Sequence, residues 1–374
     1  MSLATISGSC HPGSSRAASR EMDTTKGIGV RPRLCVVGPM VGRNTGHAPT
    51  PGETLSDLFA DVGYPVISVS AFPDRYRRLL DIVSTLVRRR GSADVIVLQV
   101  YGERSFVVED IASWLGRRFG KRIVMFLHGG TLPTFMPRFP NWTRRVLGRA
   151  DALVAPSTFL ARAVAAQGFS AQVIPNVIDL SAYPYRHRET VSPRLLWMRH
   201  FYSYYNPEMA VRVLAKLRTT MPGATLVMAG KDRGNEADVR RLAHELGLDG
   251  AISFPGFLDT QSKMREGNAA DVFLNTNSID NMPVSVIEAC AMGLPVVATN
   301  VGGIPDLLTD GETALLVPDG DVDAMVRAIN RLLTEPGLAA RLSVNGRRLA
   351  ERSSWEQVRP SWERLLADGA PAAP

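Results

Sequence analysis

Short β-branched and apolar runs alternate with amphipathic stretches along most of this chain, a pattern that predicts parallel sheets covered by helices. In the first half the strand candidates are residues 33–38, 66–69, 94–100, 122–127, 152–155 and 172–174, with helical periodicity at 54–62, 76–90 and 105–119. Val95-Ile96-Val97-Leu98 is apolar without alternation, as a strand buried on both faces must be. A second series starts after Pro184. Its strands are expected at 195–198, 225–229, 252–254, 272–274, 296–298 and 315–317, and its helices near 207–219, 236–246, 284–292 and 322–333. Between the two series, residues 183–193 combine Pro184, a cluster of charges and Pro193, which reads as an inter-domain linker.

The predicted fold class is therefore α/β: two Rossmann-like, doubly wound parallel-sheet domains facing a central cleft. Sheets of this kind bind ligands beyond the carboxyl ends of their strands, so the cleft is the expected active site. The length of 374 residues agrees, being more than one core usually serves. Expected divisions are a Ser/Gly/Thr-rich disordered tail at 1–27, a first domain at 28–185, a second at 186–352, and a C-terminal helix and tail at 353–374. Trp355 and Trp362 flank Pro360 and suggest that this last helix packs back on the first domain.

Charge adds a possible partner class. The formal net charge is +7, and between Asp74 and Ala150 fifteen Arg/Lys stand against six Asp/Glu. Such a basic face attracts acidic lipid head groups or phosphorylated acceptors, and the competing reading is solvated helix faces. No zinc-finger, helix-turn-helix or RNA-binding aromatic signature accompanies it, so nucleic acid is not expected. No apolar run approaches the ~18–20 residues of a membrane span, and no signal-peptide pattern opens the chain. The expectation is a cytoplasmic protein, with peripheral contact at the inner face of an anionic membrane as its further form. Cys10, Cys35 and Cys290 are far apart and show no metal-ligand spacing, so they read as structural thiols.

Candidate chemistry concentrates in Asp280-Asn281-Met282-Pro283-Val284-Ser285-Val286-Ile287-Glu288, followed by Ala289-Cys290-Ala291-Met292-Gly293-Leu294-Pro295. The segment runs from strand to loop to helix, with Pro283 at the helix start and Gly293 at its end. Asp280 in the loop and Glu288 on the helix can face one pocket, where free N–H groups and the helix dipole favour phosphate. From spacing alone, the commoner explanation of such acids is helix support by Asp280 and solvation of Glu288.

This segment, with Val296-Val297-Ala298-Thr299-Asn300-Val301-Gly302-Gly303-Ile304-Pro305-Asp306 after it, resembles the signature of the family-4 retaining glycosyltransferases of GT-B fold. The resemblance extends over roughly residues 30–366. It implies that Glu288 binds the donor ribose and that Asp280, where Glu is usual, lies near the transferred sugar. It places His128, in Leu127-His128-Gly129-Gly130, as the second catalytic residue, facing that sugar. It assigns donor contacts to Gly52, Arg199, Phe257, Leu258, Met282, Pro283 and Val284. Val154 to Ser157 and Ile174 to Asp179 resemble the family's inter-domain region.

One departure stands out. The family usually places a Lys five residues after the Arg matched by Arg199, and here that position holds Tyr204. Losing such a cation is worth ~2–4 kcal/mol by analogy with other preorganised donors. The Tyr204 hydroxyl, or Lys231 and Arg233 in the next loop, is expected to compensate in part. The implied activity is metal-independent transfer, with retention, of a sugar from a nucleotide diphosphate, UDP- or GDP-linked, to a carbohydrate or lipid-linked acceptor. No cofactor beyond that co-substrate is expected. The alternative is a catalytically weakened nucleotide- or glycan-binding protein on the same fold.

Overall fold

The computed structural model describes residues 31–45 and 49–368. The expected tail at 1–27, with Cys10, and residues 46–48 and 369–374 lie outside these.

Two six-stranded, wholly parallel sheets form the scaffold. The first contains β1 (Leu34–Val37), β2 (Val66–Val69), β3 (Val95–Val100), β4 (Arg122–Leu127), β5 (Ala152–Ala155) and β6 (Gln172–Val173), in the order β2-β1-β3-β4-β5-β6. The second contains β7 (Arg194–Met198), β8 (Thr225–Ala229), β9 (Ile252–Gly256), β10 (Val272–Asn275), β11 (Val296–Thr299) and β12 (Leu315–Val317), in the order β12-β11-β10-β7-β8-β9. Strand order reverses between β1 and β3 in one sheet and between β7 and β10 in the other, so each sheet carries a topological switch point. Strands β1, β3, β10 and β11 are buried at every residue; their sequences are apolar except at Gln99, Asn275 and Thr299, near or at the carboxyl ends.

Local sequence explains where several helices begin. The helix Pro51–Asp61 starts a turn earlier than its apolar periodicity indicates. Thr50 accepts from the Glu53 amide at 3.3 Å while the Glu53 carboxylate accepts from the Thr50 amide at 2.7 Å, a capping box with Pro51 in the first turn. Helices Leu132–Arg138, Pro140–Leu147, Thr158–Ala165, Thr260–Ala269 and Leu338–Glu351 were not anticipated. In the first two, Pro133, Pro137 and Pro140 disguise short helices as loop, although Pro is tolerated in a first turn.

Residues 183–193 are not a loose tether. Arg188 is 1% exposed and donates to the carbonyls of Gly267 at 2.6 Å and Arg186 at 2.7 Å, and also to that of Met292. Beside it the Asp271 carboxylate pairs with Arg186 at 2.8 Å and Arg194 at 2.7 Å. Burial pulls the Arg188 guanidinium down to about 10, with Arg186 adding repulsion. The segment is thereby anchored to the second domain.

The chain then returns. Helix Leu338–Glu351 packs on Val284–Ala291 of the second domain, and helix Trp355–Ala367 packs on the first. Trp362 is fully buried there, edge-on to Phe126 at 5.2 Å and to Phe59 at 6.0 Å. Arg122 donates to the carbonyls of Leu365 and Leu366 at 2.5 and 2.7 Å, satisfying the end of that helix.

Candidate active site

A cavity of ≈ 970 Å³ lies where the strand ends of the two sheets face each other. Its walls include Gly42, Thr54, Arg78 and Phe126 from the first domain, and Arg199, Arg233, Lys263, Ser285 and Glu288 from the second. Among the residues expected at the site, Arg199, Phe257, Leu258, Val284 and Glu288 line it. The remaining seven are outside the lining.

Glu288 is 6% exposed. Its carboxylate accepts from the Tyr183 hydroxyl at 2.7 Å and from Lys263 Nζ at 2.7 and 2.9 Å, one bond to each oxygen. With these partners Glu288 is not a solvated helical acid. Burial, and then the Glu288 charge, push the Tyr183 hydroxyl far above its ordinary value, so it acts as a donor. The side chain of Ser285 is buried without a partner one turn below, at the start of the same helix.

Asp280, which follows β10, forms an ion pair with Arg199, which follows β7 across the second switch point. It also accepts from Asn277 Nδ2 at 2.6 Å and from the Asn281 amide at 2.8 Å. Arg199 stacks over the Tyr205 ring at 4.2 Å, and its Nε is buried without a partner. Burial works against the guanidinium charge, but Asp280 outweighs it and holds Arg199 above its ordinary value. Gly302 and Gly303 make this arrangement sterically feasible: a Cβ at either would stand 2.1 Å from the Asp280 carbonyl oxygen or 1.9 Å from that of Asn281.

His128 leaves β4 toward the same place from the opposite domain. Gly130 lies against the Asp280–Asn281 backbone, with its Cβ position 3.7 Å from the Asn281 nitrogen. Asn281 reaches back to Ser157 and, at 3.5 Å, to the His128 carbonyl. The imidazole is flanked by Tyr101 at 5.2 Å and Phe126 at 4.1 Å, and its Nε2 shares a hydrogen bond with Gln99 Oε1 at 2.6 Å. Burial pushes His128 down to about 3, so it is neutral at physiological pH. It can orient a hydroxyl; it cannot serve there as a resident cation.

Gly52 sits in the first turn of helix Pro51–Asp61, where a Cβ would meet the Met40 methyl at 2.9 Å and Gln99 Cγ at 3.1 Å. Met282 and Pro283 lead into helix Val284–Ala291 and are buried; the Met282 carbonyl accepts from Asn176 at 3.2 Å. Tyr204 is 45% exposed, edge-on to Tyr202 at 5.0 Å, and Lys231 stands over the Phe257 ring at 5.2 Å. Of the three expected substitutes for the missing lysine, only Arg233 lines the cavity.

Sequence reasoning missed Lys263, Tyr183, Gln99 and Arg78. Lys263 lies on a helix that the sequence pattern did not single out and Tyr183 at the edge of the expected linker, so neither carried a motif. It also passed over an Asp-x-Asp-x-Asp spacing at 319–323. Those acids serve the scaffold: Asp319 accepts from Ser278, Asp321 caps helix Val322–Thr334, and Asp323 pairs with Lys216.

Two family profiles match the chain in tandem: Glycosyltransferase Family 4 over residues 36–182 and Glycosyl transferases group 1 over 187–349. The chain belongs to the family-4 glycosyltransferases. The two matches meet at the anchored segment 183–193, and the two parallel sheets place it in the GT-B class of that family.

Among curated relatives, a GDP-mannose-dependent α-(1-6)-phosphatidylinositol monomannoside mannosyltransferase of Mycolicibacterium smegmatis is 29% identical over 63% of this chain and 67% of its own length. The lipopolysaccharide core biosynthesis glycosyltransferase LpsE of Rhizobium meliloti is 32% identical over 39% of this chain, and the chain spans only 43% of that relative. Among solved structures, HepE of Anabaena in complex with UDP and glucose superposes with a TM-score of 0.69 at 18% identity, covering 90% of this chain and all of HepE. Sucrose-phosphate synthase of Thermosynechococcus elongatus gives 0.72 at 19%, covering 90% and 98%. These structural likenesses establish the fold.

Proposed function

We propose that this family-4 glycosyltransferase transfers a sugar from a nucleoside diphosphate, UDP or GDP, to an acceptor with retention of anomeric configuration and without a metal. The observation that carries this reading is the convergence of Glu288, Arg199 and the start of helix Val284–Ala291 on one inter-domain cavity. Glu288 faces the donor ribose. Free amides of the helix first turn, with Arg199, stabilise the departing diphosphate electrostatically, which removes the need for a metal.

In this mechanism the bond from the sugar C1 to the phosphate oxygen breaks as the acceptor oxygen bonds C1 on the same face. The departing oxygen takes the acceptor proton. Asp280, held by Arg199 and Asn277, and neutral His128 orient the sugar hydroxyls. Enclosure between two domains excludes water and limits hydrolysis.

The acceptor is proposed to bind the first domain and to be anionic or lipid-linked. Helix Arg75–Arg88 supports this by exposing Tyr76 at 65% and Leu80 at 70%, four residues apart, and the neighbouring helix Phe106–Arg118 exposes Trp114 at 55%. Arg77, Arg88 and Arg118 are exposed on the same two helices. Exposed basic and apolar groups on two neighbouring helices suit the surface of an anionic membrane, on the cytoplasmic side. Pro73 and Arg78, at the start of the first helix, line the cavity, so an acceptor held at such a surface would be near its mouth.

The deciding experiment is thermal stabilisation by UDP, GDP, ADP and their sugar conjugates, followed by turnover with the donor that binds. A ligand at 100 times its Kd stabilises the folded state by ~2.7 kcal/mol. Stabilisation by one nucleotide family, lost in Glu288→Ala, together with loss of turnover in Asp280→Ala, is expected. Wild-type turnover in both variants would refute the assignment.

A further inference from the structure

We infer that Arg233 supplies the second cation of the donor diphosphate site, the charge that the family lysine would bring where Tyr204 stands. This rests on the proposed donor site and names the residue that completes it. A diphosphate leaving group carries charge that one guanidinium, already paired with Asp280, offsets only in part.

The other cations around the cavity are committed elsewhere. Lys263 is bonded to both oxygens of Glu288. Arg78 donates to the carbonyls of Phe72 at 2.9 Å and Pro73 at 2.8 Å, on the first-domain side. Lys231 stands over the Phe257 ring and is not part of the lining. Arg233 lines the cavity, is exposed to it, and pairs with no carboxylate among the described residues.

Its backbone is held in place beside Arg199. The Arg233 amide donates to the Phe201 carbonyl at 3.0 Å, and the Phe201 amide donates to the Lys231 carbonyl at 2.8 Å. These bonds tie the loop after β8 to the loop after β7, two residues beyond Arg199. Gly230 permits the approach, because a Cβ there would stand 1.7 Å from the Arg199 carbonyl oxygen. The Asp232 carboxylate then gathers the amides of Gly234, Asn235 and Glu236 at 2.7, 3.1 and 3.1 Å, closing the turn around Arg233. These amides hold Asp232 below the usual carboxylate range, so the turn persists at neutral pH. Arg233 therefore projects from a fixed turn, and preorganised charge stabilises a diphosphate without reorganisation.

Calorimetric titration of the full chain with UDP, UMP, GDP and GMP tests this. In Arg233→Met, affinity for the diphosphate that the wild type binds is expected to fall roughly 10- to 100-fold, the range for a hydrogen bond to a charged group. Affinity for the matching monophosphate should change far less. Adding Tyr204→Lys to Arg233→Met should restore part of the loss. The unliganded melting temperature should stay unchanged, since Arg233 is exposed. An unchanged diphosphate affinity in Arg233→Met, or an equal loss for monophosphate and diphosphate, would overturn the assignment. Absence of nucleotide binding by the wild type would instead overturn the donor-site reading beneath it.

Discussion

Replacing Lys263 by Met keeps an unbranched apolar stem but removes the charge that holds Glu288. The two Nζ–oxygen distances of 2.7 and 2.9 Å correspond to ~6 kcal/mol of gross attraction at an effective dielectric of ~20. Desolvating both groups costs several kcal/mol, so the net worth of the pair is much smaller. The side chains are 15% and 8% exposed, and removing one partner leaves the other buried and uncompensated, at a typical cost of ~3–5 kcal/mol. Tyr183 still donates to Glu288 at 2.7 Å, which places Lys263→Met near the lower end, ~3 kcal/mol. Glu288→Gln should likewise destabilise by leaving Lys263 without its anion. The double variant removes both charges and should be nearly as stable as either single one. Urea denaturation of the four proteins yields the coupling energy, expected at ~2–3 kcal/mol. A coupling below ~0.5 kcal/mol would refute the view that Lys263 and Glu288 form one unit.

Two other predictions concern pH and membranes. His128 has its folded value lowered to about 3 against an ordinary 6.5. The unfolded chain therefore binds a proton first, and the contribution of this site to stability, complete above pH ~6.5, declines as pH falls toward 3. His128→Gln should flatten that part of the stability profile measured by denaturant titration; an unaltered slope between pH 6.5 and 4 would show that His128 is not the group responsible. Separately, sedimentation with vesicles containing phosphatidylglycerol should exceed that with phosphatidylcholine, and Leu80→Glu should reduce it several-fold. Equal sedimentation with both vesicle types would remove the membrane contact.

Much of the scaffold was legible in local pattern. Strands buried on both faces are apolar at consecutive positions, so Val95 to Leu98 and Val272 to Leu274 announce themselves without any partner. The strand–loop–helix course from Asp280 to Glu288 is equally local, since Pro283 and Gly293 mark the helix ends. The resemblance carried by that segment named Glu288 and Asp280, and its extension after β7 named Arg199; the structure brings all three to one end of the second sheet.

What the acids touch was decided by tertiary structure. Lys263 and Tyr183 reach Glu288 from 25 and 105 residues away, and no spacing rule links them. Arg233, rather than Tyr204, faces the cavity because Gly230 and the Asp232 turn press one loop against another. Trp362 enters the core of the first domain from the last helix of the chain. A strand pattern specifies which faces are buried, but strand order determines which loops meet at a switch point. That order comes from packing across the whole sheet, and with it come the partners, charges and contacts of the site.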